Sequence, residues 1–97
     1  MTSYSIEIVY VKPTDLRPAS NPQTDRETLL RIAESLDLFG WILPVVARRE
    51  DGLVLDGEKR VLANAFRHCP DELIPVVYRD GIDDATATQM RAALRHL

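Results

Sequence analysis

The chain has 97 residues, 45% of them hydrophobic and 28% charged, with a formal net charge of −3. That length holds one domain with a single modest core, and that composition is a folded one rather than a disordered one. The acidic balance excludes a wholly basic nucleic-acid binder, and the single cysteine, Cys69, excludes an internal disulfide and, with only two histidines, a zinc cluster.

The first four residues, Met1 to Tyr4, lack the charged and apolar regions of a signal peptide. Ile6-Glu7-Ile8-Val9-Tyr10-Val11 is β-branched and aromatic and predicts a first strand. Lys12 to Gln23 holds Pro13, Pro18 and Pro22, which exclude a regular element. Thr24-Asp25-Arg26-Glu27 reads as a capping box. The helix after it places Leu29, Ile32, Ala33 and Leu36 on one face and stops at Gly40. Trp41 to Ala47 predicts a second strand, and Pro44 inside it implies an edge position or an irregular entry.

Glu50-Asp51-Gly52 is a hairpin turn leading into a third strand, Leu53-Val54-Leu55. A helix is expected from Glu58 to Arg67, burying Val61, Leu62, Ala65 and Phe66, with Pro70 ending that region. Leu73 to Tyr78 predicts a fourth strand turned by Asp80-Gly81. Asp83 or Asp84 caps a last helix with Met90, Ala93, Leu94 and Leu97 on its apolar face. That pattern runs to the last residue, which fits either a fragment of a longer protein or a docked terminal helix. No apolar run reaches membrane-spanning length, so a cytoplasmic protein is expected. The elements alternate imperfectly, so the class is α+β: a small mixed β-sheet with flanking helices.

Asp56-Gly57-Glu58-Lys59-Arg60 carries the chemistry. A strand turns at a glycine into a helix start bearing two cations. Lys59 and Arg60 lie where the helix dipole is positive, a cost that an anionic partner removes. Backbone N–H groups and those two side chains make phosphate the natural ligand. Glu58 either complements the helix N-terminus or acts as a general base or metal ligand. Trp41 is either a core aromatic or a stacking platform. Arg91, Arg95 and His96 complement the dipole of the last helix or give a secondary phosphate contact. Arg48, Arg49, Lys59, Arg60 and Arg67 lie close enough in sequence for a local basic patch. His68 and His96 have no ligand spacing, and no metal site is expected.

The order of these features resembles the N-terminal domain of ParB-type partition proteins, within the ParB/sulfiredoxin superfamily, from about Ile6 to Leu97. The resemblance rests on Arg17-Pro18, on Gly40 followed by Pro44-Val45-Val46-Ala47-Arg48, and on Gly57-Glu58-Lys59-Arg60. It implies a domain that binds cytidine triphosphate with magnesium and clamps DNA. Gly57, Glu58, Lys59 and Arg60 would hold the phosphates. Gly40, Trp41, Leu43 and Pro44 would line the base and sugar. The expected partners are a nucleotide, DNA through a region outside this chain, and a second copy of the chain.

Departures from the family pattern are Leu43 for a glutamine, Leu62 for an arginine, and Ala92-Ala93-Leu94 for a glutamate-asparagine-leucine motif. Sulfiredoxin chemistry needs a cysteine where Glu58 stands, which leaves it without a nucleophile. The expected function is a nucleotide- or phosphate-binding module in DNA partition or a related plasmid, phage or chromosome process. The alternatives are a metal-dependent nuclease or small kinase using Glu58, and a protein-interaction module that has lost ligand binding.

Overall fold

A computed structural model describes residues 6–19 and 24–94. The elements in order are β1 (Val9–Val11), α1 (Arg26–Phe39), β2 (Val45–Arg48), β3 (Val54–Asp56), α2 (Glu58–Ala63), β4 (Ile74–Arg79) and α3 (Asp84–Leu94). The strands form one sheet in the order β1-β4-β2-β3. β1 runs antiparallel to β4, and β2 antiparallel to β3. β2 and β4 are parallel, with Val45 opposite Val76 and Arg48 opposite Arg79. The sheet is therefore mixed, and the class is α+β as the pattern predicts.

Strand alternation puts residues on two faces. Val45, Ala47, Val54, Ile74 and Val76 join Leu16 in the main core, with Trp41 and Val61 packed against it. Leu55, Ile82 and Ala87 form a smaller cluster with Val46, Leu53 and Met90. α2 thus leans on the main core through Val61, and α1 packs on α2, burying Ala33 and Leu36. α3 packs against β3. Among the described residues no helix is long and apolar enough to cross a membrane.

Several elements depart from the sequence pattern. β1 begins at Val9, leaving Ile6 and Ile8 outside the strand. The proline-rich segment is not wholly irregular: Pro13–Asp15 makes a 3-10 turn with proline at its first position, where no N–H is needed. Arg17 then pairs with the hairpin, donating from its N to the Gly52 O at 2.8 Å and accepting from the Val54 N at 3.0 Å. The cap of α1 is Asp25, one residue later than the capping box implies. Its carboxylate accepts from the Thr28 N at 2.7 Å, and Glu27 pairs with Arg31 instead. Pro44 marks an irregular entry, but β2 lies between β4 and β3 and is not an edge.

α2 ends at Ala63 and tightens into a 3-10 turn over Asn64–Phe66. Changing from 3.6 to 3.0 residues per turn rotates the face. Ala63 and Asn64 become buried, while Ala65 and Phe66 are exposed, against the helical expectation. Asn64 tolerates burial because its Nδ2 donates to the Pro70 O and its Oδ1 accepts from Arg67. Asp83 caps α3, accepting from the Thr86 N at 2.7 Å. Ala87 and Met90 face the sheet, whereas Ala93 is exposed. Leu97 lies outside the described residues, as do Arg95 and His96.

Candidate functional site

The turn after β3 is built on Gly57, which sits at φ 97° in the left-handed region. A side chain there would also crowd its neighbours. A Cβ would lie 2.9 Å from the Arg60 Nη2 and 3.3 Å from the Val45 Cγ2. The glycine thus lets Arg60 fold back under the turn. The Gly57 carbonyl accepts the first helical hydrogen bond, from the Val61 N at 3.0 Å.

The three charged residues that follow part company. Lys59 is exposed and makes no ion pair among the described residues. Arg60 is half-buried, and its Nη1 donates to the Leu43 O at 2.6 Å. Its guanidinium carbon lies 5.9 Å from the Trp41 ring centroid, within cation–π range. Burial pulls its pKa below the ordinary arginine value, opposed by the charge of Asp56. An arginine stays charged regardless, so this is a partly desolvated cation with no hydrogen-bonded carboxylate among the described residues. Glu58 is held by α3, from which the Arg91 Nη2 donates to its Oε2 at 2.8 Å.

The other group of expected site residues lies at the end of α1. Gly40 closes that helix at φ 72°, ψ −168°, its N–H donating to the Leu36 O at 2.8 Å. That combination is essentially restricted to glycine. Gly40, Trp41 and Pro44 line a groove of about 300 Å³ with Ile8, Tyr10 and Leu73. Leu43 is exposed and does not line it. None of Gly57 to Arg60 lines it either. Trp41 belongs to both regions, since it lines the groove and lies beneath Arg60. Its Nε1 is buried without an acceptor among the described residues.

The basic patch suggested by the sequence does not form. Arg48 is buried and donates to Asp51, to the Ile82 carbonyl and to Asp84. Arg67 is buried against Asp37 and Asn64. Arg49 pairs with Asp80 at 2.7 Å and lies over the Tyr78 ring. Only Lys59 and Arg60 of the five remain at the turn. Cys69 and His68 are exposed. Among the described residues no three His, Cys, Asp or Glu side chains stand together to hold a metal.

Arg91, in sequence a dipole-complementing residue or a secondary phosphate contact, pairs with Glu58. No local pattern signals a contact 33 positions apart.

No protein-family model matches the sequence, and no curated protein matches it. Solved structures do. The fold is similar to the C-terminally truncated chromosome-partitioning protein ParB from Caulobacter crescentus, solved with CTP-gamma-S, at a TM-score of 0.79 and 15% identity. The match covers 92% of this chain and 52% of that one, so this chain spans about half the length of that protein. The two share a fold: a small mixed sheet with flanking helices, arranged as in ParB.

Proposed function

We propose that this domain is a ParB-like nucleotide-binding module that holds phosphate at the Gly57–Arg60 turn. The observation that carries the reading is an Arg60 with no hydrogen-bonded carboxylate beside a Lys59 with no ion pair, among the described residues, at a glycine turn. The fold is shared with a ParB solved with CTP-gamma-S, which supports a cytidine nucleotide as the first candidate. Backbone N–H groups would bind phosphate oxygens while Lys59 and Arg60 neutralise charge. Trp41 and Pro44 would bound the base and sugar, with Gly40 and Leu43 shaping the segment between them. We assign the module a binding or regulatory role in DNA partition or a related process, with DNA engaged by a region outside this chain.

A magnesium ion would accompany a nucleoside triphosphate, and the residues here do not fit a protein-held one. The carboxylates at the turn are Asp56 and Glu58, and Glu58 is committed to Arg91. The same pairing favours a positioning role for Glu58 over that of a nuclease or kinase base.

Calorimetric titration with CTP, ATP and GTP tests the proposal. Trp41 is the only tryptophan, so a ligand that draws Arg60 off its ring will change its emission as well. The expected result is CTP binding that Lys59→Ala weakens about tenfold, the loss of one charge-assisted hydrogen bond. Absence of heat and of any fluorescence change with all three nucleotides would sink the idea.

A further inference from the structure

The Glu58–Arg91 pair has the geometry of a reserve cation. α3 brings Arg91 to the turn through packing on β3. Ala87 is buried and Met90 packs beside Leu55 and Ile82, and Arg91 lies one helical turn after Ala87 on the same side. β3 ends at Asp56, so the strand that anchors α3 also delivers Glu58. Arg91 reaches that carboxylate with a single hydrogen bond, from Nη2 at 2.8 Å. A guanidinium has five donors. Among the described residues the others on Arg91 make no hydrogen bond, and its side chain keeps 22% of its exposure. The pair therefore leaves the remaining donors of a planar, always-charged fork uncommitted among the described residues.

The charge balance points the same way. Lys59, Arg60 and Arg91 stand against two carboxylates, Asp56 and Glu58. Of those carboxylates, only Glu58 is hydrogen-bonded to one of the three cations. Arg60 lies on the Trp41 and Val45 face of the sheet and Arg91 comes from α3 on the Leu55 and Ile82 face, so the positive charge flanks the turn from two separate elements.

We infer that Arg91 is a third phosphate-binding cation of this site, held ready by Glu58, and that a triphosphate is bound here without a divalent metal. This rests on the reading of the Gly57–Arg60 turn as a phosphate holder. Binding transfers the free donors of Arg91 to phosphate oxygens, and Glu58 competes with the ligand for the same guanidinium.

The test is calorimetric titration of inorganic tripolyphosphate and of CTP, each in EDTA and in magnesium, on the wild type and on Arg91→Ala, Arg91→Lys, Glu58→Gln and Lys59→Ala. The wild type is expected to bind in EDTA at least as tightly as in magnesium. Arg91→Ala weakens binding roughly tenfold, the loss of one charge-assisted hydrogen bond, and Arg91→Lys recovers part of it. Glu58→Gln tightens binding severalfold by releasing Arg91, which a purely structural ion pair would not do. Binding that appears only with magnesium overturns the inference. So does a Glu58→Gln protein whose affinity is unchanged, or an Arg91→Ala protein that binds as wild type while Lys59→Ala is impaired. These outcomes leave the phosphate reading of the turn standing. If neither probe binds the wild type in either condition, both fall. Should Arg91→Ala not fold, Arg91→Lys and Glu58→Gln still decide.

Discussion

Gly57→Ala combines two penalties that can be separated by experiment. A left-handed conformation costs an ordinary residue about 1–2 kcal/mol, and here the new Cβ also meets Arg60 and Val45. Gly81 has a similar φ of 69° with nothing within 4 Å of a Cβ, so Gly81→Ala carries the conformational penalty alone. Denaturant unfolding should show Gly57→Ala more destabilised than Gly81→Ala, and only Gly57→Ala should also weaken nucleotide binding. Equal losses of stability would mean that Arg60 simply moves aside. At this scale the sequence was informative where chemistry is local. A glycine between a strand and two cations marks the strand-to-helix turn from five residues. Trp41 and Arg60 lie 19 positions apart, and Glu58 and Arg91 lie 33 apart. Their contacts depend on how strand and helix pack, which no short motif encodes.

The elements are fastened to one another by ion pairs that looked like surface charge. Arg48 lies at the end of β2 and ties the hairpin residue Asp51 to Asp84 and the Ile82 carbonyl at the start of α3. Arg17 also donates to Asp51, joining the proline-rich segment to the same point. The hydrogen bond from Arg48, aided by the Leu53 N–H and Arg17, holds the Asp51 carboxyl well below the usual carboxylate range, with burial opposing. Asp25 and Asp83 are lowered as well, through the Thr28 and Thr86 N–H groups they cap. A carboxylate whose pKa is depressed by folding stabilises the fold wherever it is ionised. The contribution is complete above the ordinary carboxylate value of about 4 and is lost as pH falls below it. Melting temperature should therefore be flat from pH 7 to about 5 and decline below about 4, and Asp51→Asn should soften the decline. A protein equally stable at pH 3 would contradict this assignment. Arg48→Ala should lower the melting temperature more than Arg49→Ala, because it empties a buried side-chain position and takes the donor from the Ile82 carbonyl, whereas Arg49 pairs at the exposed surface. Sequence pattern located every α-helix and strand among the described residues, but not the 3-10 turn at Pro13–Asp15, the shift from α to 3-10 at Asn64, or the burial of Arg48 and Arg67. Each of the last two depends on a hydrogen-bond partner supplied by another part of the chain.

For the whole molecule, the alternation of elements was enough to specify a mixed four-stranded sheet, and the ParB resemblance read from two short motifs is matched by a shared fold at 15% identity. Fold alone does not separate a working nucleotide site from a scaffold that has lost one. Linkage does, because a ligand that binds only the folded state stabilises it by RT ln(1 + [L]/Kd). At a hundredfold excess over Kd that is about 2.7 kcal/mol. In a domain of this size each kcal/mol moves the melting temperature by about 4–8 °C. CTP at that excess should raise the transition by roughly 10 °C or more, and Lys59→Ala should need about ten times more ligand for the same rise. Denaturant midpoints should move in parallel, with the m-value unchanged, because the ligand alters the population of the folded state and not the surface exposed on unfolding. A domain that melts at one temperature whatever nucleotide is present would instead be an interaction module built on the same frame. In that case the exposed apolar side chains around Trp41, among them Tyr10, Ile42 and Leu73, would be the surface on which to seek its partner.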